Sequence, residues 1–183
     1  MKLNRILTFC LAGALAIILA ACSSESSDQE SMEHGENGHM EHSSTGELPE
    51  DLKKAQNPKY DEGSSVLMNA DHMEGMQGTE ATVSGAFDTI AYSISYTPEN
   101  GGDRVENHKW IVQKEIENAG EEAFQPGDAV IVEASHMEGM QGAEAIIESV
   151  EKTTVYMVDF TPASGDETVK NHKWVVEKEL SAE

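Results

Sequence analysis

The side chains of this sequence best suited to chemistry are histidines and methionines, and they recur in register. The heptapeptide HMEGMQG stands at residues 72–78 and again at 136–142, and the tetrapeptide NHKW at 107–110 and 171–174. Both pairs are separated by 64 positions. His72, His108, His136 and His172 therefore all belong to duplicated pairs, as do Met73, Met76, Met137 and Met140. Thioether sulfur is a soft, neutral donor and imidazole an intermediate one. Together, without thiolate, they suit copper, above all Cu(I), better than Zn²⁺ or Ca²⁺. His-Met-x-x-Met sets one imidazole and two sulfurs close in sequence, and a glycine-permitted turn can make them converge. The NHKW histidine supplies a further donor if that segment meets the loop. The expected ligand sets are His72, Met73 and Met76 with His108, and His136, Met137 and Met140 with His172, one site per repeat. Trp110 and Trp174 lie two residues beyond their histidines, so strand alternation puts each pair on one face. There the indoles either shield a Cu(I) site or fill the core. A packing account stands beside the metal account. Methionine fills gaps in small cores, a His72–His108 pair can anchor a loop, and the glycines read as turn positions. Spacing alone leaves both open.

These residues need elements to hold them. Laying residues 60–116 over 124–180 gives 25 identities in 57 pairs without a gap, a tandem duplication. Units of this size bury only about 60% of their unfolded surface and are marginal alone. Each copy reads as β-rich. Short apolar runs at 66–70 and 130–134 precede the glycine-bearing loop, and new strands start at 82–83 and 146–147. The clearest strands are AYSISY at 91–96 and VYMVDF at 155–160, each ending in Thr-Pro. Closing strands at 108–112 and 172–176 run into Glu/Lys-rich tails at 113–116 and 177–180. The expected fold is all-β: two tandem small SH3-like antiparallel barrels, at 59–117 and 124–183. Barrels of this kind host many functions, so architecture alone names none.

Ahead of the repeats, residues 1–21 read as a signal peptide, with Lys2 and Arg5 before the apolar stretch at 6–19. It ends in Leu19-Ala20-Ala21-Cys22, which resembles the bacterial lipoprotein signal. That resemblance implies acylation of Cys22 and a lipid anchor on the extracytoplasmic face of the cell membrane. An ordinary secretory peptide cleaved near Ala21 is the alternative. Cys10 leaves with the leader, so the mature chain has neither a free thiol nor a disulfide. Residues 22–58 read as a disordered tether, too polar to offset its ordering entropy, with a short helix at 48–56. Within it, His34, His39, Met40 and His42 form a His/Met-rich run of the kind that binds metal. Without Lys2 and Arg5, 10 basic residues face 34 acidic ones, a formal charge of −24. Such a chain repels nucleic acid and anionic wall polymers and attracts cations.

The two HMEGMQG…Y…TP…NHKW units, behind a lipobox and a His/Met-rich tether, resemble the YdhK-type lipoproteins of Gram-positive bacteria. That family includes copper-resistance surface lipoproteins of the CopL type. The resemblance covers essentially the whole mature chain and implies extracytoplasmic copper binding that limits copper toxicity, but brings no ligand set with it. No Ser-His-Asp order, cysteine nucleophile or phosphate loop is present, so binding rather than catalysis is expected. Two other readings stand: an interaction module whose barrels bind an envelope protein or glycan, and a zinc-binding or copper-chaperone component passing metal to a transporter such as a copper exporter.

Overall fold

The computed structural model describes residues 45–165 and 167–183. Cys22, His34, His39, Met40 and His42, with the proposed leader and most of the tether, lie outside the described residues.

Among the described residues seven strands follow one another as β1 (Ser65–Met68), β2 (Glu80–Tyr96), β3 (Val105–Val112), β4 (Ala129–Ile131), β5 (Glu144–Phe160), β6 (Val169–Val176) and β7 (Leu180–Ala182). Short 3-10 turns at Gln113–Glu115 and Glu177–Glu179 follow β3 and β6. The fold is all-β, and among the described residues these strands pair antiparallel. The hydrogen-bonded order is β4-β5-β2-β1-β7, with β3 on β2 and β6 on β5.

The strands expected at 82–83 and 91–96 are one. β2 runs unbroken through both for 17 residues, as β5 does through their copies. The two long strands pair along nearly their whole length, from Ala81 opposite Phe160 to Tyr96 opposite Ala145. At the centre Thr89 faces Thr153, its own repeat equivalent, so the pairing has a local pseudo-twofold axis there. Register shifts after Val83 and after Ser93 re-aim the side chains on either side of that axis. Gly85 sits at the first of these, where an added Cβ would meet the Phe87 ring at 2.8 Å.

Long strands that do not turn back carry each repeat into its neighbour. Two barrel-like lobes result, but their boundary is not the repeat boundary. Lobe A joins β1 and the first half of β2 to the second half of β5, β6 and β7. Its core packs Met68, Met76 and Val83 against Tyr156, Val175 and Leu180. Lobe B joins the second half of β2 and β3 to β4 and the first half of β5. Its core packs Tyr92, Ile94 and Ile111 against Val132, Met140 and Ile147. Between them a third cluster unites Phe87, Trp110 and Val112 with Val155, Trp174 and Val176. A single repeat thus supplies only half of each core, which answers the marginal size of a unit.

The chain enters this fold earlier than residue 58, and the expected helix at 48–56 is instead extended. Asp51 takes a left-handed φ of 61°. After it the Ala55 N–H donates to the Ala86 carbonyl at 2.9 Å, and Lys53 accepts from the Asp88 N–H at 3.1 Å. Leu52 packs on the central cluster. Nonlocal backbone bonding to β2 overrides the weak local preference of LPEDLKKAQ for helix.

Candidate functional site

The two HMEGMQG loops join β1 to β2 and β4 to β5. Their central glycines are needed for two reasons. Gly75 and Gly139 adopt φ of 80° and 73°, and an added Cβ would meet the Pro162 Cβ at 2.8 Å and the Asn100 Oδ1 at 2.5 Å. Each loop thus presses on the Thr-Pro turn of the other repeat. The Ala163 N–H donates to the Gly75 carbonyl (3.1 Å) and the Glu99 N–H to the Gly139 carbonyl (2.9 Å).

NHKW is shaped by its asparagine. Asn107 and Asn171 take left-handed φ of 55° and 52°, a conformation asparagine tolerates better than most residues. The ladder between β2 and β3 shifts register on both sides of the Ile94–His108 pair, and β5 with β6 behaves alike around Val158 and His172. Simple alternation is therefore lost. His108 lies beside the Tyr96 ring at 6.1 Å in lobe B, whereas Trp110 joins the central cluster and donates its indole N–H to Glu179. The expectation that histidine and tryptophan share one face, with the indole shielding that histidine, is corrected here.

The expected one-repeat pairs are corrected as well. His72 meets His172, ring centroids 5.9 Å apart, and His108 meets His136 at 6.2 Å. His72 and His108 fall in different lobes because β2, which separates them, crosses from one lobe to the other. Each histidine pair is composite, one ring from each repeat.

A carboxylate organises each pair. In lobe B, Glu115 Oε1 lies 2.7 Å from His136 Nε2, and Glu115 Oε2 accepts the Trp174 indole N–H at 3.0 Å and the Val112 N–H at 3.0 Å. In lobe A, Glu179 Oε2 accepts from Trp110 at 2.9 Å and from the Val176 N–H at 3.1 Å, and stands 3.5 Å from His72 Nε2. Burial by itself would raise the pKa of both carboxyls. For Glu115 the charge and hydrogen bond of His136, then the Val112 N–H and Trp174, hold it below the ordinary value. For Glu179, His72, Trp110 and the Val176 N–H do the same. Glu115 and Glu179 were not singled out from the sequence, where they looked like part of a charged tail. Their signal was present: both are identical across the 64-residue offset.

With Nε2 committed to Glu115, His136 leaves Nδ1 buried and without a hydrogen-bond partner, as His72 does in lobe A. A neutral imidazole donating from Nε2 carries its lone pair at Nδ1, so these atoms are ready donors to a cation. The methionines divide into two kinds. Met76 and Met140 are fully buried in the lobe cores, where they pack. Met73 and Met137 are only partly buried at the core margins, and Met137 Sδ accepts the Tyr96 O–H at 3.6 Å. Among the described residues no set of three or more His, Cys, Asp and Glu is arranged to hold a metal.

Fold and site together define an all-β protein of two intertwined repeats, each lobe closed around a buried His–Glu–Trp set with a second histidine from the other repeat. A family model described as "Protein of unknown function (DUF1541)" matches residues 62–113 and 126–177, and the chain belongs to this family. It is 52% identical over 187 residues to "Uncharacterized protein YdhK" of Bacillus subtilis (strain 168), covering 100% of this chain and 91% of that protein. A crystal structure of the ydhK protein of Bacillus subtilis superposes with a TM-score of 0.77 at 60% identity, covering 79% of this chain and 99% of that one. A solution NMR structure of the ydhK C-terminal domain gives 0.63 at 63% identity, over 67% of this chain and 92% of the other.

Proposed function

We propose that this protein is an extracytoplasmic, membrane-anchored lipoprotein that binds copper, favouring Cu(I), and limits copper toxicity by sequestering it. The observation that carries the reading is the buried, unpartnered Nδ1 of His136, whose Nε2 is tied to the buried Glu115 carboxylate. Carboxylate–histidine pairs of this kind orient an imidazole and raise its basicity at metal centres. The second histidine of each pair and the partly buried Met137 or Met73 extend the donor set, and Trp174 or Trp110 holds the carboxylate in place. Lobe B would then bind through His136, His108 and Met137, and lobe A through His72, His172 and Met73. The acidic surface favours cation approach, and His34, His39, Met40 and His42 add capture sites near the Cys22 anchor. A copper exporter is a natural recipient of released metal. Binding, not catalysis, is the activity.

The test is a Cu(I) titration of the mature protein lacking Cys22 against a competing chelator. His136→Gln and His72→Gln should each remove one equivalent, and the double variant should leave only the weak capture of residues 32–42. Changing Met73, Met76, Met137 and Met140 to Leu should weaken binding at least tenfold. Unchanged stoichiometry and affinity in the histidine double variant would make the Glu–His–Trp sets structural clamps and favour the interaction-module reading.

A further inference from the structure

The NHKW motif of the second repeat holds a piece of the chain's own backbone. The Lys173 ammonium donates to the Glu47 carbonyl. Gly46, with φ of 71°, lies so close to Asn171 that an added Cβ would sit 2.9 Å from its Nδ2. This surface therefore reads a left-handed glycine and a backbone carbonyl, features that any extended chain with a glycine in the right place can offer. Residues 47–50 then run on along a cavity beside Glu115 and His136.

The same two motif positions of the first repeat, Asn107 and Lys109, help to line a cavity of about 630 Å³ together with Ser93, Ser95, Arg104 and Glu148. Its polar wall is built in. Ser95 Oγ accepts the Asn107 N–H at 3.0 Å, and Ser93 Oγ meets Ser149 Oγ at 2.6 Å, with Ser93 and Ser95 both buried. Asn107 and Asn171 share the left-handed backbone, so the two surfaces are alike at this point. The Lys109 ammonium faces the exposed Asp71 carboxylate at 3.7 Å, a surface pair that costs little to give up. The surfaces differ in charge. Where the second repeat has Ser84, Asp159, Thr168 and Lys170, the first has Glu148, Ser95, Arg104 and Glu106. Two cations, Arg104 and Lys109, thus face two carboxylates, Glu106 and Glu148, around the first-repeat cavity. Net charge does not choose its ligand; backbone shape does.

We propose that the cavity at Asn107 and Lys109 is a docking site for an extended, glycine-bearing segment of a second polypeptide, held in trans as Gly46 and Glu47 are held in cis. Lys109 donates to a backbone carbonyl of that segment, and its glycine lies against Asn107. Arg104 and the serine hydroxyls take further carbonyls. The strongly acidic chain favours a partner segment without net negative charge. This docking needs no metal, so it stands or falls apart from the copper reading.

The probe is a fluorescein-labelled peptide, TGQLPQ, which is residues 45–50 carrying Glu47→Gln and Glu50→Gln. Fluorescence anisotropy with metal-free mature protein lacking Cys22 should show saturable binding of one peptide per chain. The second-repeat surface is held by its own tethered segment, whose high effective concentration excludes the probe. Lys109→Met should weaken binding about tenfold, the loss of one hydrogen bond from a charged donor. Valine in place of the peptide's glycine should weaken it about tenfold as well, because a left-handed backbone is costly for it. Lys173→Met should leave binding unchanged. Should Lys109→Met misfold, amide NMR shifts of the wild-type protein decide instead: the peptide should move Ser95, Asn107, Lys109 and Glu148, and not Asn171 or Lys173. Absence of saturable binding, equal binding of the valine peptide, or a footprint on Asn171 and Lys173 would overturn the site.

Discussion

Lobes A and B are built from the same duplicated residues in swapped roles, which makes them an internal control for each other. Both have a glutamate that takes an indole N–H and a backbone N–H, a loop histidine beside that glutamate, and a second histidine from the other repeat. Lobe B is the tighter version: Glu115 and His136 are 5% and 4% exposed, their contact is short, and the chain's own N-terminal segment lies against the pocket. In lobe A the same groups stand farther apart, with Glu179 at 9%. Identity of motif therefore does not bring identity of environment. One difference traces to a residue outside the shared motifs: Tyr96, whose hydroxyl bonds Met137, is matched in lobe A by Phe160.

The sharpest way to break the comparison is to remove the carboxylates. Glu115→Ala strands His136, the Trp174 indole and the Val112 N–H in a buried site, and should cost about 3–5 kcal/mol in urea denaturation. Glu179→Ala should cost roughly half of that, because its histidine contact is looser and its site less buried. Equal losses would erase the distinction between lobes. Acid titration makes a second, gentler test. Both carboxyls are held below the ordinary glutamate value of 4.5, so the unfolded chain takes up their protons first as pH falls. Their stabilisation is complete above that value and is lost as pH drops through the folded-state pKa. Urea midpoints measured across that acidic window should fall steeply for wild type and less steeply for Glu115→Gln, with Glu179→Gln between them. The smallest effect belongs to Tyr96→Phe. It removes the hydroxyl bonded to Met137 and should lower stability by about 0.5 kcal/mol in the same urea measurement. A Tyr96→Phe protein as stable as wild type would leave the tightness of lobe B to the Glu115–His136 contact alone.

Much of this was legible in the residue order. The ungapped offset shows the duplication, and the β-branched and aromatic runs ending in Thr-Pro show strands. The confinement of the repeat histidines to HMEGMQG and NHKW marks where the interior polar groups gather. Glu115 and Glu179 were legible in the same way, as identities within the closing tails, but a charged tail reads as solvated surface until its partners are seen. The glycines of HMEGMQG looked like turn residues, and they are. Their second role, admitting the proline turn of the other repeat, depends on contacts far away in sequence, Gly75 with Pro162 and Gly139 with Pro98 and Asn100.

The swap itself lay beyond the sequence for a physical reason. Because both copies carry the same motifs, pairing His72 with His108 or with His172 satisfies an identical residue pattern. The choice rests on whether the chain turns back near Asp88 or continues straight, and β2 continues, pairing with β5 across the Thr89–Thr153 centre. That one continuation sends His108 to lobe B and leaves His72 in lobe A, and the bulges in β3 and β6 then part each histidine from its tryptophan. The sequence by itself determined the all-β class, the duplication and the soft-donor chemistry of the gathered residues, since composition and local periodicity are enough for those. Only the tertiary structure decided which copies come together, which methionines are core, and how closely each glutamate meets its histidine, because long-range strand pairing places them.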